Sequence, residues 1–568
     1  MKGGDWFPSV FGMAATADLF QGLKDESSAL SAEVMEAFAS GVKLDLAAGG
    51  AECRAEVDDL VRASVSCSAA DRVNNRTLIV DVRSPSEYAK GHVPGAVNVP
   101  LFTDEERAKV GTAFAKQGRG VALVLGMKAV RPKLQSIVSE ILNLVEAKEA
   151  ASHDAAHALN ETCIGSSQPS VVYVHCWRGG MRSSSVAWLL LHAAPPGSLD
   201  ARVVRGGYKA FRKFVLTRWE TPPAMTRSSS SSSMASTISS SSLIDDQSSS
   251  SSSSALDRRE KELERKRKEP RVCIVGGRTG VGKTAALLGL RKQGVKVIDL
   301  EGLAAHSGSA FGWVGRPPAQ PTSEHFANLV AMEWVEFSER TNNGENENEE
   351  AKNWVFLEDE GPHVGKCSVD PGLFSRMRVA PLVVNVVAPR ETRLRTLVED
   401  YAHDTHRSDP QWIDAMDESV GKLRKRLGNE RAEALRSRLR EGDFAAVADG
   451  LLEYYDGLYD KHLGTKRVEK REKQKGFKGH GNGDTNGDTT SAVKFPDSVD
   501  EPAKPSTPPP TLSPEASARQ GKVVECRARA VGPDDPVGRH PDSLDVDHLV
   551  VSILQTVAAF EAEEEKVN

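Results

Sequence analysis

Apolar positions along the chain gather in blocks, and the blocks carry two different periods. Leu78–Val82 (LIVDV) and Val171–Val174 are short, β-branched runs of the kind that form strands buried on both faces of a parallel sheet. Between them, SPSEYAKGHVPGAVNVP predicts a short helix opening at Ser84-Pro85, turns at Gly91 and Gly95, and a strand in AVNVP. The run Val186–Leu191 is helix-like, and ARVVRGGYKAFRKF reads as a strand, a Gly206-Gly207 turn and an amphipathic helix. The pattern restarts later: strands at Val272–Val275, in GVKVIDL and in NWVFLEDE, with an amphipathic helix in PTSEHFANLVAMEWVEFSE. Strands alternating with helices predict an α/β protein with parallel sheets, and the restart predicts two such domains.

Other stretches cannot build a core. Residues 1–70 mix small residues with Asp18, Asp25, Glu26, Glu33 and Glu36 and read as an irregular extension. The first α/β domain then spans 71–220, a serine-rich linker 221–256, the second domain 257–400 and a helical extension 401–463. Residues 464–540 turn low-complexity and are expected to be disordered, as is the linker, because neither buries enough apolar surface to offset its ordering entropy. Within 541–568, HLVVSILQTVAAF predicts a terminal helix that docks on the body or on a partner. The charged run Asp257–Arg271 reads as a solvated helix ending at Pro270, and Asn342–Glu350 as an exposed acidic insertion.

Composition narrows the setting. A formal net charge of −6 carries no global nucleic-acid signature, so any RNA contact must come from local basic patches. The seven cysteines, at 53, 67, 163, 176, 273, 367 and 526, form no C-x-x-C pair, which argues against a disulfide framework or a zinc module and for a reducing compartment. No run approaches the roughly 18 apolar residues of a membrane span. Neither a secretory nor an Arg-rich transit pattern is met well, so the cytoplasm is the expected location, with an organelle left open.

The first chemical focus is His175–Ser183, HCWRGGMRS, at a strand-to-helix turn. Gly179 and Gly180 let backbone N–H groups converge on Cys176, while the helix N-terminus, Arg178 and Arg182 favour a thiolate. Such a cysteine is a nucleophile or a chalcogen carrier. Cys176 and Arg182 also form C-x5-R, the spacing of a cysteine phosphatase, with Asp81 or Asp104 as acids that would have to approach in space. Asp81 and Arg83, at the end of the preceding strand, are expected to support this loop.

The second focus is RVCIVGGRTGVGKTAALLGL, a strand, a glycine-rich loop and a helix, the full context of a P-loop. Gly277, Thr279, Gly280 and Gly282 shape the loop, Lys283 neutralises terminal phosphate oxygens, and Thr284 is placed to hold a magnesium ion, although no metal site is certain. Asp299 and Glu301 follow one strand, and Glu358, Asp359 and Glu360 another; these carboxylates are candidate metal or water ligands, or simple helix caps. In KLRKRLGNERAEALRSRLREG, Lys422, Arg426, Arg436 and Arg440 are spaced to line a basic helix face for RNA, and Tyr454, Tyr455 and Tyr459 either stack on bases or fill a core.

DVRSPSEYAKGHVPGAVNVP resembles the first half of a rhodanese domain, and HCWRGGMRS followed by RGGYKAFR its active-site loop and tail. Pro100–Leu123, together with GRTGVGKT, DLEGLAAHSGSAFG, AQPTSEHF, FLEDE with Gly365, KLRKRLGNERAEAL and LLEYYDGLY, resembles the tRNA 2-selenouridine synthases. The fold this implies is an N-terminal rhodanese-like domain plus a C-terminal P-loop NTPase-like domain with a helical extension. The implied activity replaces sulfur by selenium in wobble 2-thiouridine of tRNA, with selenophosphate as donor. A geranylated intermediate made from geranyl diphosphate is implied as well. Cys176 is then the chalcogen carrier and the P-loop the diphosphate site, so ATP hydrolysis is not required. A selenophosphate-supplying enzyme would be a partner; oligomeric state is not indicated. Two departures stand out: Ser307 and Gly361 occupy positions where the family usually carries arginine or a Ser-Arg pair. The competing readings are a sulfurtransferase coupled to an ATP-dependent kinase and a non-catalytic tRNA-binding scaffold.

Overall fold

A computed structural model describes residues 54–65, 76–158, 169–219, 270–314, 319–343, 351, 353–402, 409–462, 522–530 and 543–567. The serine linker, the 257–269 charged run and the 344–350 part of the acidic insertion lie outside the described residues.

The first domain is a five-stranded parallel sheet. Its strands are β1 (Arg54–Ala55), β2 (Thr77–Asp81), β3 (Val97–Asn98), β4 (Ser170–His175) and β5 (Leu199–Val204), in the order β1-β5-β4-β2-β3. Side chains alternate between faces as strand geometry requires. Leu78, Val80, Val172 and Val174 point into a core under α5 (Leu134–Ala158) and α6 (Met181–Ala193). Ile79 and Tyr173 point the other way, toward α1 (Val57–Ser64) and α7 (Gly207–Thr217). Helix α2 (Pro85–Lys90) opens with Pro85 at its start and a reciprocal Ser84–Glu87 cap. Beside the β4 end sits a helical pair, α3 (Asp104–Gln117) and α4 (Arg119–Val130). The Thr103 hydroxyl accepts from the Glu106 N–H at 3.2 Å and three acids fill the first turn of α3, so that end is well capped.

The second domain repeats the architecture with β6 (Arg271–Gly277), β7 (Lys296–Ile298), β8 (Trp354–Glu358), β11 (Leu382–Val387) and β12 (Lys522–Arg527), all parallel, ordered β12-β11-β6-β8-β7. A small antiparallel pair, β9 (His363–Val364) and β10 (Cys367–Ser368), hangs beside it. Cys273, Val275 and Phe356 face α8 (Lys283–Lys292), while Val272, Ile274 and Leu357 face α10 (Ser323–Asn343). After the four-residue α9 (Leu300–Leu303) and α11 (Pro371–Arg378), the helical extension comprises α12 (Arg390–Tyr401), α13 (Pro410–Lys422), α14 (Arg424–Leu427), α15 (Asn429–Arg440) and α16 (Phe444–His462) around a separate core.

The two domains share one core. Helix α10 belongs to the second domain, yet its Phe326, Val330 and Trp334 are buried in the same cluster as Tyr208, Phe211 and Trp219 of the first. Trp219 and Trp334 meet edge to face with ring centres 5.0 Å apart. Polar seams flank this contact. Tyr208 Oη donates to Glu324 Oε1 at 2.8 Å, Arg212 Nη1 donates to Asn328 Oδ1 at 2.8 Å, and Asn328 Nδ2 donates to the His92 carbonyl and Tyr208 Oη, both at 2.9 Å. A linker therefore connects domains that already pack against each other.

Two expectations change. The first domain starts upstream of residue 71: β1 pairs with β5, and Leu60 and Val61 of α1 are core residues, so 54–65 is not part of an irregular extension. Short polar-flanked segments of this kind acquire structure from their neighbours, not from their own periodicity. The 464–540 tail contains β12, whose six residues pair along all of β11 and complete the second sheet. The terminal helix forms as its apolar pattern predicts, as α17 (Val546–Val567), and it docks on α8 through Leu549, Val550, Ile553 and Val557.

Candidate functional site

Strand β4 ends at His175 and hands Cys176 to the loop that starts α6. Cys176 is 4% exposed, with Sγ 3.4 Å from Ser183 Oγ. Burial alone would raise its thiol pKa, but the Ser183 hydroxyl, the Arg182 charge and the backbone N–H groups of Gly180 and Arg178 outweigh it and hold the pKa below the usual value. Arg178 contributes through its backbone; Arg182 also faces Glu87 at 3.6 Å. The loop is locked from below by the Arg205–Tyr208 turn. Tyr208 N–H donates to the Cys176 carbonyl and Lys209 N–H to the Trp177 carbonyl, both at 2.9 Å. Gly179 has φ +62°, and a Cβ there would come within 2.1 Å of the Val204 carbonyl, so only glycine fits. Gly180 faces open space, and its carbonyl accepts from Ser183 Oγ.

Asp81 and Arg83 form a fully buried pair, Nη2 to Oδ2 2.6 Å, and Arg83 also donates to the Gly91 carbonyl and lies 3.8 Å over the Tyr208 ring. The pair thus links the end of β2 to His175 and to the Tyr208 ring. Asp81 is engaged by Arg83 and, at 3.7 Å, by His175, and Asp104 accepts from Ser86, so neither carboxylate is offered to the thiol as the acid a phosphatase would need.

The second centre sits at the end of β6. Gly277, Gly280 and Gly282 adopt φ +139°, +79° and +84°, and Thr279 lies between them. Lys283 Nζ arches back to the Gly277 carbonyl at 3.1 Å, closing the loop. The loop is pinned from the helical extension: Arg393 Nε donates to the Thr279 carbonyl at 2.9 Å and holds Asp456 by both terminal nitrogens. Thr284 Oγ1 donates to Glu358 Oε1 at 2.8 Å and lies 3.4 Å from Glu301 Oε2.

Glu301, Glu358 and Glu360 bring one carboxylate oxygen each within 4.8 Å of the others. Burial first, and then mutual repulsion, pushes Glu301 up to about 8 and Glu360 up to about 7; Glu358 is raised mainly by burial. Glu358 Oε2 is buried without a hydrogen-bond partner. An orphaned buried oxygen among crowded carboxylates beside a P-loop threonine fits a divalent cation. Asp299 stands apart from this cluster, because its Oδ1 caps α9 through the Gly302 N–H at 2.7 Å. Asp359 is held by Arg378. Ala305, with φ +49°, starts the turn that brings Gly308 against Glu301 and Glu360.

A small apolar cavity of about 70 Å³ adjoins the P-loop at Thr279 and lies between Phe311, Leu397, Trp412, Leu451 and Tyr455.

The proposed RNA face is differently built from its sequence pattern. Arg436 and Arg440 both bind Asp417, Lys422 pairs with Glu418 at 2.9 Å, and Arg426 donates to Tyr454 Oη at 3.4 Å. Helical spacing showed the cations but not the acids supplied by α13. Tyr455 lines the cavity and Tyr459 Oη donates to Asn385, so these rings are occupied within the fold. Sequence reasoning missed Ser183, Tyr208, Arg393 and Asp456 as supporting residues; only the position of Ser183, in the first turn of α6, offered a signal.

Comparison with known proteins matches residues 270–481 to the tRNA 2-selenouridine synthase AAA domain and residues 68–125 to the Rhodanese-like domain. Proteins named tRNA 2-selenouridine synthase are similar over most of their length. That of Pseudomonas entomophila is 30% identical over 403 residues, 67% of this chain and 86% of the relative. A Pseudomonas putida protein is 31% identical over 403 residues, covering 67% and 87%. One from Marinobacter nauticus is 28% identical over 418 residues, covering 70% and 90%.

Proposed function

The chain belongs to the tRNA 2-selenouridine synthase family, a family of tRNA-modifying transferases, and on that premise we propose that its two centres divide the conversion of wobble 2-thiouridine to 2-selenouridine. At the P-loop, the thiouridine sulfur attacks C1 of geranyl diphosphate. The S–C bond forms, the C–O bond breaks, the N3 proton passes to solvent, and diphosphate leaves into the N–H groups of Gly280 to Thr284 and the Lys283 ammonium. At the Cys176 loop, selenium of selenophosphate adds to C2 of the alkylated base and the C2–S bond breaks. Geranylthiolate leaves, and water cleaves the P–Se bond to release phosphate. The electrons balance without an oxidant or reductant. Cys176, Arg182 and the converging N–H groups guide the donor; a route through a cysteine perselenide would need an additional thiol to free the selenium.

Glu301, Glu358, Glu360 and Thr284 would hold a divalent cation, whose chemistry is to neutralise the diphosphate. The observation that carries the geranyl reading is the apolar lining beside Thr279: a hydrocarbon chain attached to a P-loop-bound diphosphate meets apolar side chains there, which would part to admit it, where a nucleotide would present a polar sugar and base. Selenophosphate-supplying enzymes would act upstream, and tRNA is the macromolecular substrate.

The test incubates the purified protein with 2-thiouridine tRNA and omits one co-substrate at a time, with nucleosides read by mass spectrometry. Geranyl diphosphate alone should give geranylthiouridine, and both co-substrates should give selenouridine, with no need for ATP. Absence of both products would sink the proposal; ATP consumption independent of tRNA would favour a kinase.

A further inference from the structure

A second apolar cavity lies in the first domain, on the Cys176 side of the sheet. Phe102, Val110, Ala122, Met127 and Leu134 line it, and α3 and α4 form its outer wall. The inner wall is the first two turns of α6, contributing Met181, Arg182, Ser185 and Val186. Arg182 thus faces both ways: it depresses the pKa of the Cys176 thiol and borders this cavity. Arg107 and Arg119 join it in the lining, and Arg107 and Arg182 both approach the single carboxylate of Glu87, at 3.4 and 3.6 Å. The rim and surroundings stay apolar: the lining residues Phe114 (62% exposed) and Met181 reach the surface, and Val121, Val124 and Leu125 are exposed beside them. Helix α4 is apolar on both its exposed and its buried sides apart from Arg119 and Lys128, since Ala122, Gly126 and Val130 are buried on its other side. An apolar chamber with a cationic border, lined by the first turn of the helix that follows the activated thiol, is built for a ligand with a hydrocarbon part and an anionic part.

We infer that this cavity receives the isoprenoid chain of the S-alkylated nucleoside while selenium displaces it at the Cys176 loop, the arginines facing the adjoining phosphates. The inference rests on the geranylated-intermediate reading. It assigns that chain a place in the second half-reaction, distinct from the cavity beside the P-loop where it arrives as a diphosphate. The chemistry requires such a place. Breaking the C2–S bond leaves an alkyl thiolate, and a chamber that already holds the alkyl chain fixes the sulfur in line for departure and keeps the ten-carbon group out of water. The cavity also predicts selectivity: short alkyl groups leave it unfilled.

The test uses purified full-length protein, selenophosphate, and tRNAs carrying S-methyl, S-dimethylallyl or S-geranyl 2-thiouridine, prepared chemically. The readout is kcat/KM for selenouridine formation, expressed as the geranyl-to-methyl ratio, which is insensitive to the fraction of active protein. The wild type should prefer geranyl at least tenfold, with dimethylallyl between. Gly111 lines the cavity, and a Cβ there meets nothing within 4 Å, so Gly111→Leu adds bulk at the cavity wall from a position where the backbone accepts a side chain. That substitution should collapse the ratio toward one. A wild-type ratio near one, or a ratio that Gly111→Leu leaves unchanged, overturns the inference and leaves the cavity to another occupant, such as a segment of residues 1–53. Failure of the underlying reading looks different: 2-thiouridine tRNA would be selenated directly while none of the S-alkylated tRNAs reacted.

Discussion

Replacing Asn328 by alanine probes the claim that the two domains act as one body. Asn328 is fully buried in α10 and joins three groups of the first domain: the His92 carbonyl, Tyr208 Oη and the Arg212 guanidinium. Alanine removes two neutral hydrogen bonds, each worth about 1 kcal/mol, and one to a charged group worth about 1.5–3 kcal/mol. The seam leaves little room for water, so the expected destabilisation is about 3–5 kcal/mol. Urea unfolding followed by tryptophan fluorescence is the assay, because Trp219 and Trp334 meet inside this seam and report its opening. Asn328→Asp retains the acceptor for Arg212 and should lose less. Tyr208 also holds the Cys176 carbonyl, so Asn328→Ala should depress selenation more than geranylation. A loss below about 1 kcal/mol, with both transfer rates intact, would refute the view that the seam fixes the two centres.

Other consequences can be checked separately. Glu358→Gln or Glu301→Gln should weaken magnesium binding measured by calorimetry at least tenfold, since each removes a charged ligand from the cluster. Ser307→Arg, which restores the cation usual in the family beside His306 and Gly308, should tighten diphosphate binding about fivefold, equivalent to about 1 kcal/mol for a partly exposed charged hydrogen bond. The seam should also weaken in acid. Burial holds His325 down at about 4 and lowers His92, and the two rings meet at a tilt with centres 3.9 Å apart. The unfolded chain therefore binds more protons between about pH 6.5 and 4. Stability present above pH 6.5 is lost as pH falls through that window, by at most about 1.4 kcal/mol per unit per histidine and less because both rings are partly exposed. A His325→Phe variant should flatten this dependence in urea titrations.

The sequence pattern carried the two parallel sheets and both loops because each rests on local signals: β-branched runs and glycines at fixed offsets from Cys176 and Lys283. Thr284, Glu301 and Glu358 were legible as neighbours for the same reason, each standing at a strand or loop end. What failed to show was long-range. Strand β12 is six residues whose partner, β11, lies across a long low-complexity tract, and pairing makes it a strand. Asp299 and Glu301 are two residues apart and look equivalent in the sequence, yet one caps a helix and the other joins the carboxylate cluster. Arg436 and Arg440 have the spacing of a basic face, but Asp417, on a different helix, engages both. The shared core was invisible for a related reason: the amphipathic pattern of α10 shows an apolar face without saying that part of it belongs to the other domain.

The most direct test of the two-centre account is a single-turnover comparison of Cys176→Ser and Lys283→Ala on 2-thiouridine tRNA and on tRNA already geranylated at sulfur. Cys176→Ser should make geranylthiouridine and stop there. Lys283→Ala should fail to geranylate yet convert the pre-geranylated tRNA to selenouridine. If both variants kept both activities, or Lys283→Ala selenated 2-thiouridine tRNA at the wild-type rate, the assignment of one transfer to each centre would be contradicted.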